Sequence, residues 1–315
     1  MNSKLIFCKI RIPLLLGLST IILSLTGCLS SKLELKLTND SGNYEKDKEP
    51  VVYKPVYNEA ASFGNEYVEI DASNSSEGYF TVISKSNAPR VKLLLSVDDD
   101  CTYIYNLTKD KKCVVPFSLG SGKYNISVHE EIINSQYALC YETELDVNLN
   151  NEFGPFLYPN EYVNFNENSE VVKRAKELTA NSRSELEEVF DIYKYVVENF
   201  TYDEYKAENA PKTYIPSVDD VLSEKKGICL DYSAMTAAML RSRNIPTRLE
   251  IGYAGNEYHA WISVYTKDRG FITDLIEFDG TTWTLMDPTF ASSNTFKGEA
   301  DKIHNGTKYT VMYCY

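Results

Sequence analysis

No two cysteines in the 315 residues stand in a C-x-x-C pair, which removes the common structural zinc site. No Asp-rich stretch has the D-x-D-x-D spacing of a calcium loop, and "VDDDC" at Val97 to Cys101 reads as a turn. No metal and no cofactor is therefore expected. Histidine is scarce: three residues supply all the imidazole available for proton transfer. Positive charge is in deficit, 32 Lys and Arg against 45 Asp and Glu, so a surface at -13 repels phosphate polymers and excludes nucleic acid as a partner. No long internal repeat is present, and no apolar run is long enough to span a bilayer comfortably. The longest runs from Ile12 to Leu25.

That run follows Lys4, Lys9 and Arg11, so residues 1–27 read as a secretory signal. Its end, Leu25-Thr26-Gly27-Cys28, resembles the lipobox of bacterial lipoproteins. The resemblance implies a signal peptide over 1–27, lipidation at Cys28, and a mature chain anchored to the membrane through that lipid, at the outer face of the bacterial cytoplasmic membrane. Loss of the signal takes the formal charge to about -16. Five cysteines then remain, an odd number, so at least one thiol is unpaired. Cys101 and Cys113 flank "TYIYNLTKDKK", a plausible hairpin, and are read equally well as a disulfide or as two thiols.

Residues 28–63 are polar, lack an apolar period and read as a disordered tether. Short β-branched and aromatic runs follow at roughly ten-residue spacing, which predicts a β-sandwich over 64–152. From 153 to 315 the pattern changes. "SEVVKRAKELTA" and "SELEEVFDIYKYVVENF" are helical, the second opened by Ser184 and Glu187 as a capping box and carrying a core stripe of Leu186, Val189, Phe190, Tyr193 and Val197. A helix begins near Cys229, after Gly227, whose freedom suits a tight or left-handed turn. Three strands are expected beyond it, "TRLEIGY", "YHAWISVYT" and "TTWTLMD". The fold class is α+β.

A thiol at a helix start meets unsatisfied N–H groups and the positive end of the dipole, which favour thiolate and mark Cys229 as a candidate nucleophile. Asp231, in the first turn, reads as a simple N-terminal charge. His259 opens a strand whose other face is Tyr258, Ala260, Ile262 and Val264, and is the candidate base. Asp287 closes the next strand pattern, where an antiparallel pairing brings it to His259 as orienter. His129 has no partner motif and reads as a bland histidine.

Gly227-Ile228-Cys229, "AAMLRSRNIPTR", His259-Ala260-Trp261 and Trp283 with Asp287-Pro288-Thr289 together resemble the transglutaminase-like superfamily of thiol enzymes, over roughly Glu185 to Phe290. The resemblance implies a papain-like core, with the cysteine on a central helix against an antiparallel sheet, and a catalytic set of Cys229, His259 and Asp287. It implies attack on a peptide or protein amide, with cell-wall peptide among the substrates, through an acyl-thioester. Hydrolysis is favoured over transfer to an amine. The oxyanion is expected at the Cys229 N–H plus a second donor, for which Tyr202 is the candidate. The alternative is a catalytically inactive binding or scaffolding lipoprotein. Arylamine N-acetyltransferases share the triad but place the cysteine much nearer the start of the domain.

Overall fold

The computed structural model describes residues 49–97, 101–211, 213–266, 270–272 and 309–315. Signal, lipidation site and the tether as far as residue 48 lie outside the described residues. From Glu49 onward the expected tether is built into the fold, which corrects its boundary. Val51 N–H donates to Ser242 O at 2.9 Å, Tyr53 hydroxyl to Asn244 Oδ1 at 3.2 Å, and Val56 N–H to Tyr79 Oη at 2.8 Å. These partners replace the water that a free tether would use.

Eight strands come first: β1 (Phe63–Gly64), β2 (Val68–Asp71), β3 (Tyr79–Ser84), β4 (Val91–Val97), β5 (Cys101–Leu107), β6 (Lys112–Pro116), β7 (Gly122–Ile133) and β8 (Gln136–Val147). They form two antiparallel sheets, ordered β1-β2-β3-β6 and β5-β4-β7-β8. Val68, Ile70, Phe80 and Val82 of the first share a core with Leu93, Leu95, Tyr124 and Ile126 of the second. Alternation fixes this packing, because Val91, Leu93 and Leu95 all point inward from β4 while Lys92 and Leu94 do not.

The hairpin expected between Cys101 and Cys113 does not form. β5 pairs with β4 and β6 with β3, so the chain crosses from one sheet to the other between them. None of Cys113, Cys140, Cys229 and Cys314 is in a disulfide.

The second part holds α1 (Glu170–Leu178), α2 (Glu185–Asn199), β9 (Thr201–Tyr202), α3 (Glu204–Asn209), α4 (Val218–Glu224), β10 (Lys226–Gly227), α5 (Cys229–Ser242), β11 (Thr247–Ala254), β12 (Glu257–Thr266), β13 (Gly270–Ile272) and β14 (Tyr309–Cys314). β13-β12-β11-β14 is an antiparallel sheet, and β9 pairs with β10 in parallel. "TRLEIGY" and "YHAWISVYT" form β11 and β12 as expected; "TTWTLMD" lies outside the described residues. α5 is buried from Asp231 through Ser242, with α1, α2 and α4 packed on it and β11 and β12 on its other side. Its Ala, Ser and Thr residues let these neighbours approach closely.

Buried polar groups tie this part together. The Arg241 guanidinium, wholly buried, donates to Thr247 O at 3.0 and 2.8 Å, Tyr158 O at 2.8 Å and Tyr315 O at 2.7 Å. Arg243 pairs with Glu188 at 3.2 Å, both side chains 2% exposed. The buried residues of α2 are Glu185, Glu188, Val189, Ile192 and Val196, so the expected stripe is rotated, and Leu186, Phe190, Tyr193 and Val197 are only half-buried.

Candidate active site

Cys229 is the first residue of α5 and is half-buried. First-turn N–H groups have no intrahelical acceptor, so those of Cys229 and its neighbours stand at the head of the helix. One is settled by Asp231, whose Oδ2 accepts from Ile228 N–H at 2.9 Å. Ile228, at the N-cap, has no side-chain acceptor to return the bond, so the Asp231 carboxylate carries the cap alone.

Asp231 does more than balance the dipole. It is fully buried, accepts from the Tyr214 hydroxyl, and pairs with Lys206 Nζ at 2.7 Å. Lys206 lies on α3 and Tyr214 in the following loop, so one carboxylate ties both to the turn that holds Cys229. Burial works against the Lys206 charge, but its bonds to Asp231 and Tyr214 outweigh burial and raise its pKa. Burial and the Asp231 bond push the Tyr214 phenol up to about 12. Partners 17 and 25 residues away leave no local pattern in sequence.

Gly227 is required for a different reason from the one expected. The left-handed residue at this turn is Lys225, with φ 51°. At Gly227 an added Cβ would stand 2.7 Å from Asp231 Cβ and 2.8 Å from its Oδ2, so glycine lets the carboxylate close over the turn.

Tyr202 lies beside the chain that leads into Cys229. It registers with Gly227, flanked by Thr201 N–H to Lys225 O at 3.0 Å and Asp203 N–H to Gly227 O at 2.9 Å. Its side chain is half-buried against the core.

His259, 8% exposed, registers with Gly252 across β11 and β12. α5 leads through Arg243–Pro246 into β11, which pairs antiparallel with β12. Tyr258, the residue before His259, is exposed overall. Burial of its hydroxyl end and the phenols of Tyr313, Tyr162 and Tyr253 raise its pKa to about 12, and Cys229 is near enough to add to the effect. Ala260, Ile262 and Val264 join the core shared with α5, whereas His259 and Trp261 occupy the alternate face of β12. There the His259 ring stacks on Trp261 at 6.3 Å, and Trp261 Nε1 and Ser263 Oγ donate to Glu250 Oε2 at 2.8 and 2.7 Å. Sequence reading missed Glu250, which holds the strand face bearing the imidazole. Tyr202 thus lies beside the strand that enters Cys229, and Cys229 is felt at Tyr258, the residue before His259. Asp287, with Trp283, Pro288 and Thr289, lies outside the described residues.

Residues 172–288 match the family model of the transglutaminase-like superfamily. This part of the chain is transglutaminase-like. The uncharacterized protein YebA of Bacillus subtilis (strain 168) is 29% identical over 147 residues, 40% of this chain and 19% of that protein. The chain therefore spans about a fifth of the length of this curated relative. Among solved structures, a candidate cysteine protease from Cytophaga hutchinsonii aligns over 75% of this chain and 83% of its own, at 14% identity and a TM-score of 0.37. Red sea bream transglutaminase aligns over 67% and 48%, at 14% identity and a TM-score of 0.28. The transglutaminase-like stretch contains Cys229, His259 and Asp287, and Tyr202 as well.

Proposed function

We propose that the protein is a lipid-anchored thiol hydrolase of peptide or protein amides, held by Cys28 at the outer face of the bacterial cytoplasmic membrane. The observation that carries the reading is Cys229 as first residue of a buried helix that packs on the strand bearing His259, both inside the transglutaminase-like match. Cys229 Sγ attacks the amide carbonyl carbon, and the oxyanion is held by the Cys229 N–H with Tyr202 as second donor. The His259 imidazolium protonates the leaving amine as the C–N bond breaks, giving an acyl-thioester. Water then attacks that carbonyl, His259 takes its proton, and the acid leaves as the thiol re-forms. Asp287 orients the imidazole. Cell-wall peptide is one substrate of this class, and the lipobox supports the location.

The test is alkylation by iodoacetamide across pH, with the modified cysteine identified by peptide mass. Cys113 and Cys140 are expected to react slowly near neutrality, since burial and Glu161 hold Cys113 well above the ordinary thiol range and burial with Glu130 pushes Cys140 up to about 11. Cys229 is expected to react faster than a model thiol below pH 7, and His259→Ala to abolish that excess. Equal rates in both proteins would remove the catalytic reading in favour of a binding lipoprotein. A peptide library assayed with and without a biotinylated alkylamine then separates hydrolysis, which is amine-independent, from transfer.

A further inference from the structure

The Asp231 carboxylate holds the turn before the candidate nucleophile, and in doing so it creates an electrostatic conflict. Its Oδ2 accepts from Ile228 N–H at 2.9 Å, so a negative charge lies against the peptide that leads into Cys229. A carboxylate there opposes a thiolate, because like charges away from water disfavour each other's ionised form. The same oxygen meets Lys206 Nζ at 2.7 Å, with the Asp231 side chain fully buried and that of Lys206 25% exposed. Lys206 Nζ also sits 4.4 Å over the Tyr214 ring, and the Tyr214 hydroxyl donates to Asp231 Oδ1. The cation is therefore brought from α3 and held on three sides, by an anion, a ring face and the short helix that carries it.

We infer that Lys206 is a positioning residue of the thiol site, an ammonium that cancels the Asp231 charge so that Asp231 can fix the turn before Cys229 without suppressing the thiolate. The inference rests on Cys229 as the nucleophile and deepens that reading. Burial opposes the Lys206 charge, but its bonds to Asp231 and Tyr214 outweigh burial, so it stays cationic through a thiol titration. The other ionisable groups on the elements packed at this end of α5 are Tyr258 and His259 of β12, Tyr202 of β9, Asp203 paired with Lys226 of β10 at 3.2 Å, and the exposed Glu224 and Lys225 that end α4. None of them is changed in the test, which follows iodoacetamide alkylation of Cys229 against pH in the mature chain and three variants. Lys206→Met leaves the carboxylate without its cation and is expected to raise the alkylation midpoint by about one pH unit or more, slowing the reaction about tenfold below both midpoints. Asp231→Asn leaves the ammonium without its anion and is expected to lower the midpoint. In the double variant the amide oxygen still accepts from Ile228 N–H and neither charge remains, so the midpoint should return close to that of the parent. Opposite displacements that cancel are the mark of charge. Single variants that move the midpoint in the same direction, or that change only the limiting rate at high pH, overturn the inference. If Lys206→Met does not fold, Asp231→Asn and the double variant decide, and equal midpoints in those two overturn it. A parent Cys229 with the midpoint of a model thiol removes the catalytic reading by itself, while the two displacements still decide the role of Lys206.

Discussion

The two parts of the molecule are stabilised in opposite ways. In the sandwich the interior is largely apolar, and its one buried carboxylate among the described residues, Asp71, accepts from Ser73 and from Asn58 N–H. Around α5 the interior is crossed by ionic and charge-assisted bonds, Arg241 to three carbonyls, Arg243 to Glu188, Asp231 to Lys206, and Glu250 to Trp261 and Ser263. Apolar packing needs only shape and volume. Buried charges add little net stability but penalise every arrangement that leaves one unpaired, so they hold the candidate catalytic groups in one geometry.

The sharpest way to break this contrast is Arg243→Met, which removes the cation of the buried pair with Glu188. A loss of about 3–5 kcal/mol is expected in urea unfolding, and Arg243→Met with Glu188→Leu should recover most of it. A double variant as unstable as the single one would show that packing, not the unpaired charge, sets the cost. In the sandwich, Leu95→Ala removes a side chain 2% exposed and should cost about 2–5 kcal/mol, through the cavity it leaves. Because no ionisable group is stranded, the pH dependence of stability should be the same as in the parent chain.

At the seam between the two parts, Glu161 makes the comparison depend on pH. Burial raises its carboxyl to about 7 in the folded state, against an ordinary value of 4.5. Below that ordinary value both states hold the proton. Between the two values the folded state keeps a proton that the unfolded chain has released, so stability falls as pH rises through this window and levels off above about 7. The fall should be about 3 kcal/mol, and Glu161→Gln should flatten it. An unchanged slope would place the titrating group elsewhere.

The contrast also governs what could be read from sequence. The strands from "EYVEIDA" to "ALCYETELDVNL" appear as β2, β3, β4, β5, β7 and β8, because β-branched and aromatic runs bounded by turn residues mark strands directly. β6, in "KCVVP", was missed because its short run pairs with β3 across the other sheet rather than with the neighbouring strand. α5 was legible through its small residues and Cys229. Asp231, Glu250 and Arg241 were not, since each is explained by partners that only the fold brings near. β14 is missed for a related reason, as "YTVMYC" lies far from its partner β11 in the chain. Gly227 was noticed for its backbone freedom, but its contact with Asp231 could not be seen without the turn.

The smallest expected effect concerns a motif that is legible yet only half formed. Ser184 caps α2 by accepting from Glu187 N–H at 3.1 Å, as the capping box requires. The return bond is displaced by one residue, for Glu187 Oε2 accepts from Arg183 N–H at 2.6 Å and its carboxylate also grips the Arg183 guanidinium. Ser184→Ala removes the acceptor of one orphan donor and should cost about 1 kcal/mol, read from the urea midpoint. Glu187→Gln keeps the backbone acceptor and loses only an ion pair whose arginine is 74% exposed, so its effect should be smaller still and should vanish in high salt. A larger loss in Glu187→Gln than in Ser184→Ala would mean that the displaced bond, not the serine, fixes the start of α2. The Glu188–Arg243 pair one residue on would then owe its geometry to Glu187.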